Sequence, residues 1–316
     1  PRPGQRNGDR DKRVQKELTG LWDFGPQDFP DEEFGDHQTA SWAIGQLSKE
    51  HAKPFFLALG FYRPHVPWYA PQRWFDSIPA AEVKLPPHRD GDRKDLPPAA
   101  LALTRNPTPP PHDWFLDHNR WKLALQSFHA STRFTDEQLG RVLDALDASP
   151  HKDDTIIVLY SDHGFHLGEK QRWAKQSLWE RSTRVPMIIA APRGKAGERC
   201  AAPVELLSIY PTLIDLCGLP KREGLEGASL VPLLEDAGAE WPHVALTTYQ
   251  RGNHSVRDRR YRYTRYADGS EELYDHATDP NEWSNLAGDD DKREVIAALA
   301  EHLPDSDAPA ARGRRK

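Results

Sequence analysis

The chain has 316 residues and a formal net charge of −6; 37% of its residues are hydrophobic, 28% are charged, and ten are tryptophan. That is enough apolar and aromatic material for one large domain with a smaller appendage, and it argues against disorder outside the ends. The acidic balance gives no reason to expect nucleic acid as a partner, and no apolar run reaches the roughly 20 residues of a membrane span.

Residues 1–18 are charged, carry no apolar periodicity, and read as a surface segment. The chain starts at Pro1 and its single methionine is Met187, so it reads as a piece of a longer product, with any targeting signal upstream. Ala40, Ala43, Ile44 and Leu47 predict a helix over His37–Ser48. The run Pro54–Gly60 (PFFLALG) predicts a strand buried on both faces. From Arg63 to about Pro111 the chain is too rich in proline for regular elements, and a loop of that length is usually functional. Trp121, Leu125, Phe128, Thr132, Leu139, Val142, Leu143 and Leu146 keep helical steps through Asn119–Asp147. Thr155–Tyr160 (TIIVLY) and Val185–Ala191 predict central strands, and Val204–Leu216 a helix interrupted by Pro211. Strands in continuous apolar runs, alternating with helices, predict an α/β fold with a mostly parallel central sheet flanked by helices over 1–242. Near residue 243 the pattern changes. His243–Gln250, Ser255–Asp258, Tyr261–Tyr266 and Glu272–Asp275 predict a small antiparallel sheet, followed by one helix over Lys292–Leu303 and a frayed tail from Pro304. Residues 243–316 therefore read as a small C-terminal α+β subdomain.

Cys200 and Cys217 are the only cysteines. They offer no disulfide framework and no zinc spacing, and read as buried or inert thiols, a bridge between them being the alternative. Asn253-His254-Ser255 is formally a glycosylation acceptor. Trp68, Tyr69 and Trp114 suit stacking on a sugar ring and equally suit packing.

The strongest local signal is Ser161-Asp162-His163-Gly164, directly after the strand Thr155–Tyr160. In open α/β sheets ligands gather at the carboxyl ends of strands. A carboxylate and an imidazole delivered there, with glycine for close backbone approach, are suited to hold a cation; the alternative is a capped turn. Lys175 leaves the same strand end beside Trp173 and has the reach for a bound anion, or is a solvated surface lysine. His65, in Arg63-Pro64-His65-Val66-Pro67-Trp68, sits after the strand expected at Pro54–Gly60, between two prolines that stiffen the backbone. It suits proton donation or anion binding near neutral pH, and equally reads as a core histidine.

Three blocks in order, Lys53–Pro71 (KPFFLALGFYRPHVPWYAP), Thr155–Pro192 (TIIVLYSDHGFHLGEKQRWAKQSLWERSTRVPMIIAAP) and Glu272–Ala287 (ELYDHATDPNEWSNLA), resemble successive signatures of the sulfatases of the alkaline phosphatase superfamily, most closely the iduronate sulfatase-like branch. The resemblance runs across nearly the whole chain and implies an alkaline phosphatase-like fold, incomplete at its N-terminus. By position it implies that Asp162 and His163 ligate a divalent cation, usually calcium, and that Lys175 binds the sulfate group. It further implies that His65 contacts the sulfate and protonates the leaving alcohol. His166 and Arg172 flank these positions as further substrate contacts. A sulfated small molecule or saccharide is the partner implied, and an exported location goes with it. On donor chemistry alone zinc and manganese stand beside calcium, because calcium prefers oxygen ligands. The catalytic reading requires His65, Asp162, His163 and Lys175 to converge on one oxyanion.

The sequence also departs from the family. The formylglycine nucleophile arises from Cys or Ser in Cys/Ser-x-Pro-x-Arg, and neither Cys200, Cys217 nor any serine has that setting. The family's Asp-Asp metal pair ends a first strand, whereas Asp153-Asp154 precedes one. These 316 residues are therefore expected to lack sulfatase activity alone and to leave an unpaired sheet edge with exposed apolar surface. Two other readings stand beside this one: a phosphate or phosphonate ester hydrolase of the same superfamily, and a non-catalytic module that binds sulfated glycans.

Overall fold

The computed structural model describes residues 22–105, 108–192 and 194–309. In chain order the elements are β1 (Phe24–Gln27), α1 (Gly35–Leu47), β2 (Trp68–Pro71), α2 (Gln72–Asp76), α3 (Pro98–Leu103), α4 (His112–Asp117), α5 (Trp121–Asp147), β3 (Ile157–Tyr160), β4 (His166–Leu167), β5 (Trp173–Ala174), α6 (Glu180–Thr183), β6 (Met187–Ala190), α7 (Ile209–Leu216), α8 (Val231–Glu235), β7 (Ala245–Thr248), β8 (His254–Arg257), β9 (Tyr261–Arg265), β10 (Glu271–Asp275) and α9 (Arg293–Ala300). The described residues fall into two compact units, one drawn from 22–86, 108–155 and 171–173, the other from 87–105, 156–170, 174–192 and 194–309.

In the first unit α5 is the spine. It buries Trp121, Ala124, Ser127, Ser131, Phe134, Gln138, Val142 and Leu146, a stripe at three- and four-residue steps, and packs against α1 and β2. Thr132, named for that stripe, is instead exposed; Phe134 and Gln138 hold the middle of the buried face. β1 and β2 pair in parallel from Phe24↔Trp68 to Gln27↔Pro71. Beside them sits an aromatic cluster in which Trp22 meets Trp68 edge-on at 5.4 Å and Phe115 stacks on Trp173 at 3.8 Å.

In the second unit β7–β10 form the expected four-stranded antiparallel sheet, in the order β10-β9-β8-β7. Strand periodicity sorts its side chains. Val256, Tyr263 and Leu273 face a core closed by Ile296 and Leu299 of α9. Tyr274 faces the other way and packs with Leu96, Leu178 and Trp179. Gly269 turns β9 into β10 at φ +83°, a value that favours glycine, with its N–H donating to the Tyr266 carbonyl at 2.9 Å. β3 and β6 pair antiparallel, Ile157↔Ala190 to Tyr160↔Met187.

Several sequence expectations need correcting. Pro54–Gly60 is no strand: no described strand pairs with it, and Phe56 is 83% exposed. An apolar run becomes a buried strand only where neighbours cover both its edges and faces. His65 is consequently followed, not preceded, by a strand, namely β2. The Pro-rich stretch does hold regular elements, since β2, α2 and α3 all lie within it. Pro111 directly precedes α4 and Pro98 opens α3, both positions where a missing N–H breaks no intrahelical bond. Pro211 does not interrupt a helix; it sits in the first turn of α7. Phe55, Phe56, Tyr160 and Ile188 are exposed apolar side chains.

Candidate functional site

β3 ends at Tyr160 and delivers Asp162 and His163. The chain is pinned immediately after them: the Gly164 N–H donates to the Ser182 carbonyl at 2.8 Å, and the Ser161 hydroxyl donates to the His163 carbonyl at 3.0 Å. A Cβ on Gly164 would lie 2.2 Å from the Arg181 carbonyl oxygen and 2.7 Å from that of Arg184. Both are backbone atoms with nowhere to retreat, which is why glycine follows the pair. Gly164→Ala is expected to destabilise the chain by about 1–3 kcal/mol and to shift the Asp162–His163 turn, as a lowered denaturant midpoint and altered His163 ring resonances.

Asp162 Oδ2 and His163 Nε2 lie 3.6 Å apart, with the carboxylate 81% exposed and the imidazole 31% exposed. His163 Nδ1 lies 2.9 Å from the Gly164 carbonyl. A carbonyl only accepts, so Nδ1 carries a proton, and Nε2 is the ring nitrogen on the Asp162 side. A histidine that donates its second nitrogen to a backbone carbonyl has the tautomer and ring orientation of a metal ligand. The separation fits two adjacent ligands on one cation. The donors present are one carboxylate and one imidazole.

Lys175 is half-buried. Among the described residues its ammonium has no hydrogen-bond or ion-pair partner, which leaves its charge available to an anion. His166 is 1% exposed and lies 3.1 Å from the Ser177 hydroxyl and 3.3 Å from the Glu169 carbonyl; its ring nitrogens are occupied within the protein, so its geometry is that of a packed histidine. Arg172 is 8% exposed.

His65, in the first unit, ends a tight turn. Its N–H donates to the Tyr62 carbonyl at 3.0 Å, and its Nδ1 lies 2.7 Å from the Val66 carbonyl, which fixes the Nδ1–H tautomer. The Tyr62 hydroxyl donates to that same Val66 carbonyl at 2.8 Å, and Trp68 Nε1 to the Pro64 carbonyl at 2.7 Å. The Arg63–Pro64 and Val66–Pro67 bonds are both cis. Asp36, 5% exposed in the first turn of α1, accepts the N–H groups of Tyr62 at 2.7 Å and Arg63 at 3.0 Å. Sequence reasoning missed Asp36, which reads there only as a favourable charge at a helix start. Nothing in the sequence pairs it with residues 26 positions on.

A second group in the second unit also gathers metal-ligating atoms: Glu180, His276 and Glu282 each offer one within 4.8 Å of the others. Here the cation position is taken by protein. Arg262 Nη2 donates to Glu180 Oε2 at 2.5 Å, and Arg262 Nε lies 2.8 Å from Glu282 Oε1, an ion pair without hydrogen-bond alignment. His276 Nε2 lies 3.1 Å from the same oxygen, and Lys170 donates to the Glu282 carbonyl. Burial opposes ionisation of Glu282, but the His276 hydrogen bond with the Arg262 and Lys170 charges prevails and holds its pKa at about 2. Glu180 is likewise lowered: burial opposes ionisation there too, and the Arg262 charge outweighs it. This is a buried ion network across β9, α6 and the segment after β10.

Three further expectations resolve. Cys200 and Cys217 are free and exposed, so they are neither buried thiols nor bridged. Asn253 is 7% exposed; its Oδ1 accepts the Ala267 N–H at 3.1 Å and its Nδ2 donates to the Arg251 carbonyl at 3.2 Å, so its amide is engaged in the fold. Trp68, Tyr69 and Trp114 are 0%, 7% and 9% exposed, which makes them packing residues.

A family model described as Sulfatase matches residues 5–219, and one described as N-sulphoglucosamine sulphohydrolase, C-terminal, matches residues 168–308. The chain is 45% identical over 273 residues to a sulfatase of Formosa agariphila, covering 86% of this chain and 54% of that protein. It is 32% identical over 235 residues to human iduronate 2-sulfatase, covering 61% and 41%. The chain thus spans about half the length of the relatives it matches. Among solved structures, that of BT4656 in complex with its substrate D-glucosamine-2-N,6-O-disulfate aligns with a TM-score of 0.71 at 22% identity, covering 85% of this chain and 68% of that one. The phosphonate monoester hydrolase SpPMH from Silicibacter pomeroyi aligns at 0.77 and 25% identity, covering 88% and 60%. These likenesses carry the alkaline phosphatase-like α/β fold expected from the sequence. With a family model spanning more than half of its residues, the chain belongs to the sulfatase family.

Proposed function

We propose that this chain supplies the downstream part of a sulfate-ester hydrolase site, acting on a sulfated saccharide. The observation that carries the reading is the Asp162–His163 pair, whose donor atoms stand 3.6 Å apart with the histidine tautomer fixed by the Gly164 carbonyl. Asp162 Oδ2 and His163 Nε2 would hold a divalent cation, calcium by family resemblance. Bound there, the cation supplies electrostatic stabilisation of the sulfuryl oxygens. Lys175 adds a second positive charge for those oxygens. His65, with Nδ1–H committed to the Val66 carbonyl, would hold on Nε2 the proton that the departing alcohol takes up as the S–O bond breaks. His166 ties together the chain on either side of Lys175, through the Glu169 carbonyl before it and the Ser177 hydroxyl after it. Arg172, the other flanking residue, stays in this proposal as a further contact to the sulfated substrate. A saccharide substrate is supported by the iduronate 2-sulfatase relative and by the disulfated glucosamine bound in BT4656. An exported location belongs to the same reading; no helix among the described residues is long and apolar enough to cross a membrane.

Two ligands bind a hard cation weakly, because affinity follows ligand number and charge. Calcium titration followed by His163 resonances should therefore show weak saturable binding that Asp162→Ala abolishes; binding unchanged in that variant would remove the cation site from Asp162. Assayed alone, the 316 residues should turn over no aryl sulfate, since they hold no Cys/Ser-x-Pro-x-Arg stretch, and turnover would overthrow that assignment. A second reading is favoured by the 0.77 TM-score to a phosphonate monoester hydrolase. Parallel assays of aryl sulfate and phenylphosphonate monoester, on a longer protein that carries this chain, separate the two.

A further inference from the structure

We infer that Asp36 is the positioning residue for His65, an inference that rests on the role proposed for that histidine. Asp36 lies in the first turn of α1, and its two carboxylate oxygens divide the work. Oδ1 accepts the Tyr62 N–H at 2.7 Å and Oδ2 the Arg63 N–H at 3.0 Å. These residues open the turn that His65 closes, because the Tyr62 carbonyl accepts the His65 N–H at 3.0 Å. One peptide unit therefore separates the helix-borne carboxylate from the histidine backbone. Other restraints on the turn come from within the loop, from β2 and from α5. Tyr62 OH and His65 Nδ1 share the Val66 carbonyl, Arg63 Nε donates to the Tyr69 carbonyl at 2.8 Å, and Thr135 Oγ1 to the Arg63 carbonyl at 3.3 Å. Among the described residues, Asp36 is the one side chain that accepts the Tyr62 and Arg63 amides.

The residue type matters. An ionised carboxylate offers two acceptors and no donor, so it fits two successive N–H groups; an asparagine offers one acceptor and turns an N–H₂ against the other amide. At 5% exposure no water stands ready to replace it. Among the described residues no strand pairs with the segment Pro54–Gly60 leading into the turn, and most of it is exposed. No described sheet strand leads directly into the His65 turn, and the contact from a helix to the turn's amides is made by Asp36 of α1.

The test uses the full chain, its Asp36→Asn, Asp36→Ala and His65→Ala variants, and the Asp36→Asn/His65→Ala double variant, with inorganic sulfate as the probe. The first readout is amide exchange at Tyr62 and Arg63. Protection should fall about tenfold or more in Asp36→Asn at one of the two amides and in Asp36→Ala at both. The second is the pH dependence of sulfate affinity between about pH 5.5 and 7.5, where a histidine cation loses its charge. Affinity should weaken as pH rises in wild type, and that dependence should disappear both in His65→Ala and in Asp36→Ala. The double variant should bind no more weakly than His65→Ala, since residues that act as one unit are not additive. A purely structural aspartate would lower the unfolding midpoint and leave the pH dependence standing, which overturns the inference, as does unchanged protection at both amides. Should His65→Ala bind sulfate as wild type does, the role proposed for His65 falls. Exchange at Tyr62 and Arg63 then still decides whether Asp36 holds the turn. Asp36→Asn, which keeps one of the two bonds, serves if Asp36→Ala does not fold.

Discussion

Replacing Arg262 by alanine is expected to lower the stability of the second unit by about 3–5 kcal/mol, the range for a buried ion pair broken from one side. Arg262 is 3% exposed and faces Glu180 and Glu282, the latter equally buried. Without the guanidinium, two carboxylates and the His276 ring remain packed together with too little positive charge. The pH response should change with it. A carboxylate whose folded pKa is depressed contributes stability that is fully present above its unfolded value and is lost as pH falls through the folded one. For Glu282 the window runs from about 4.5 down to about 2. Wild type should therefore hold this contribution through mild acid and lose it progressively below about pH 4.5. In Arg262→Ala the folded pKa values of Glu282 and Glu180 rise, so the window moves upward and less stability remains to be lost. Urea midpoints measured from pH 2.5 to 7 give both numbers. Parallel curves for variant and wild type, offset by under about 1 kcal/mol, would show that the network contributes little.

Removing the Lys175 ammonium is expected to have the largest effect on function. In a longer protein that joins this chain to a Cys/Ser-x-Pro-x-Arg segment, Lys175→Ala should lower kcat/KM for an aryl sulfate by about 10²- to 10³-fold. That is the magnitude associated with losing one fixed donor to a developing oxyanion. The basis is that this half-buried ammonium has no partner among the described residues, so its charge is not spent inside the fold. Stability should change little, because no internal hydrogen bond is lost. Arginine should restore activity poorly, since a planar guanidinium does not take the place of a compact ammonium. A rate within threefold of wild type for Lys175→Ala would take Lys175 out of the anion site.

Parts of this architecture are legible in the sequence, and the physics says which. Thr155–Tyr160 reads as a strand because β-branched residues prefer a pleated surface, and Ser161-Asp162-His163-Gly164 reads as a strand-end turn because glycine marks a close approach. Gly164 proves to meet two carbonyls. The antiparallel sheet and α9 follow from local patterns with little at stake elsewhere. Pro54–Gly60 was illegible for the opposite reason: hydrophobicity says that a segment prefers cover, not whether a neighbouring strand provides it. Pro211 was misplaced because the harm a proline does depends on its distance from the helix start, which composition does not mark. The Arg262 network escaped notice altogether. Its members stand at 180, 262, 276 and 282, each an ordinary surface charge until the strands bring them together. Asp36 is hidden in the same way, its partners being backbone amides that every residue but proline carries.

The aromatic cluster of the first unit has a spectroscopic consequence. Seven of the ten tryptophans belong to that unit's residues, and Trp22, Trp68 and Trp173 stand 5.4–6.4 Å apart, ring to ring. Indoles fixed at such separations couple their excited states, so the near-ultraviolet circular dichroism should carry an intense signed couplet. Its decay on heating would report melting of the first unit. Far-ultraviolet ellipticity sums α1 and α5 with the elements of the second unit, so the part of its change that does not track the couplet would report the second, with Trp179 as its deeply buried indole. Two wavelengths would then follow the two halves of one polypeptide in a single scan.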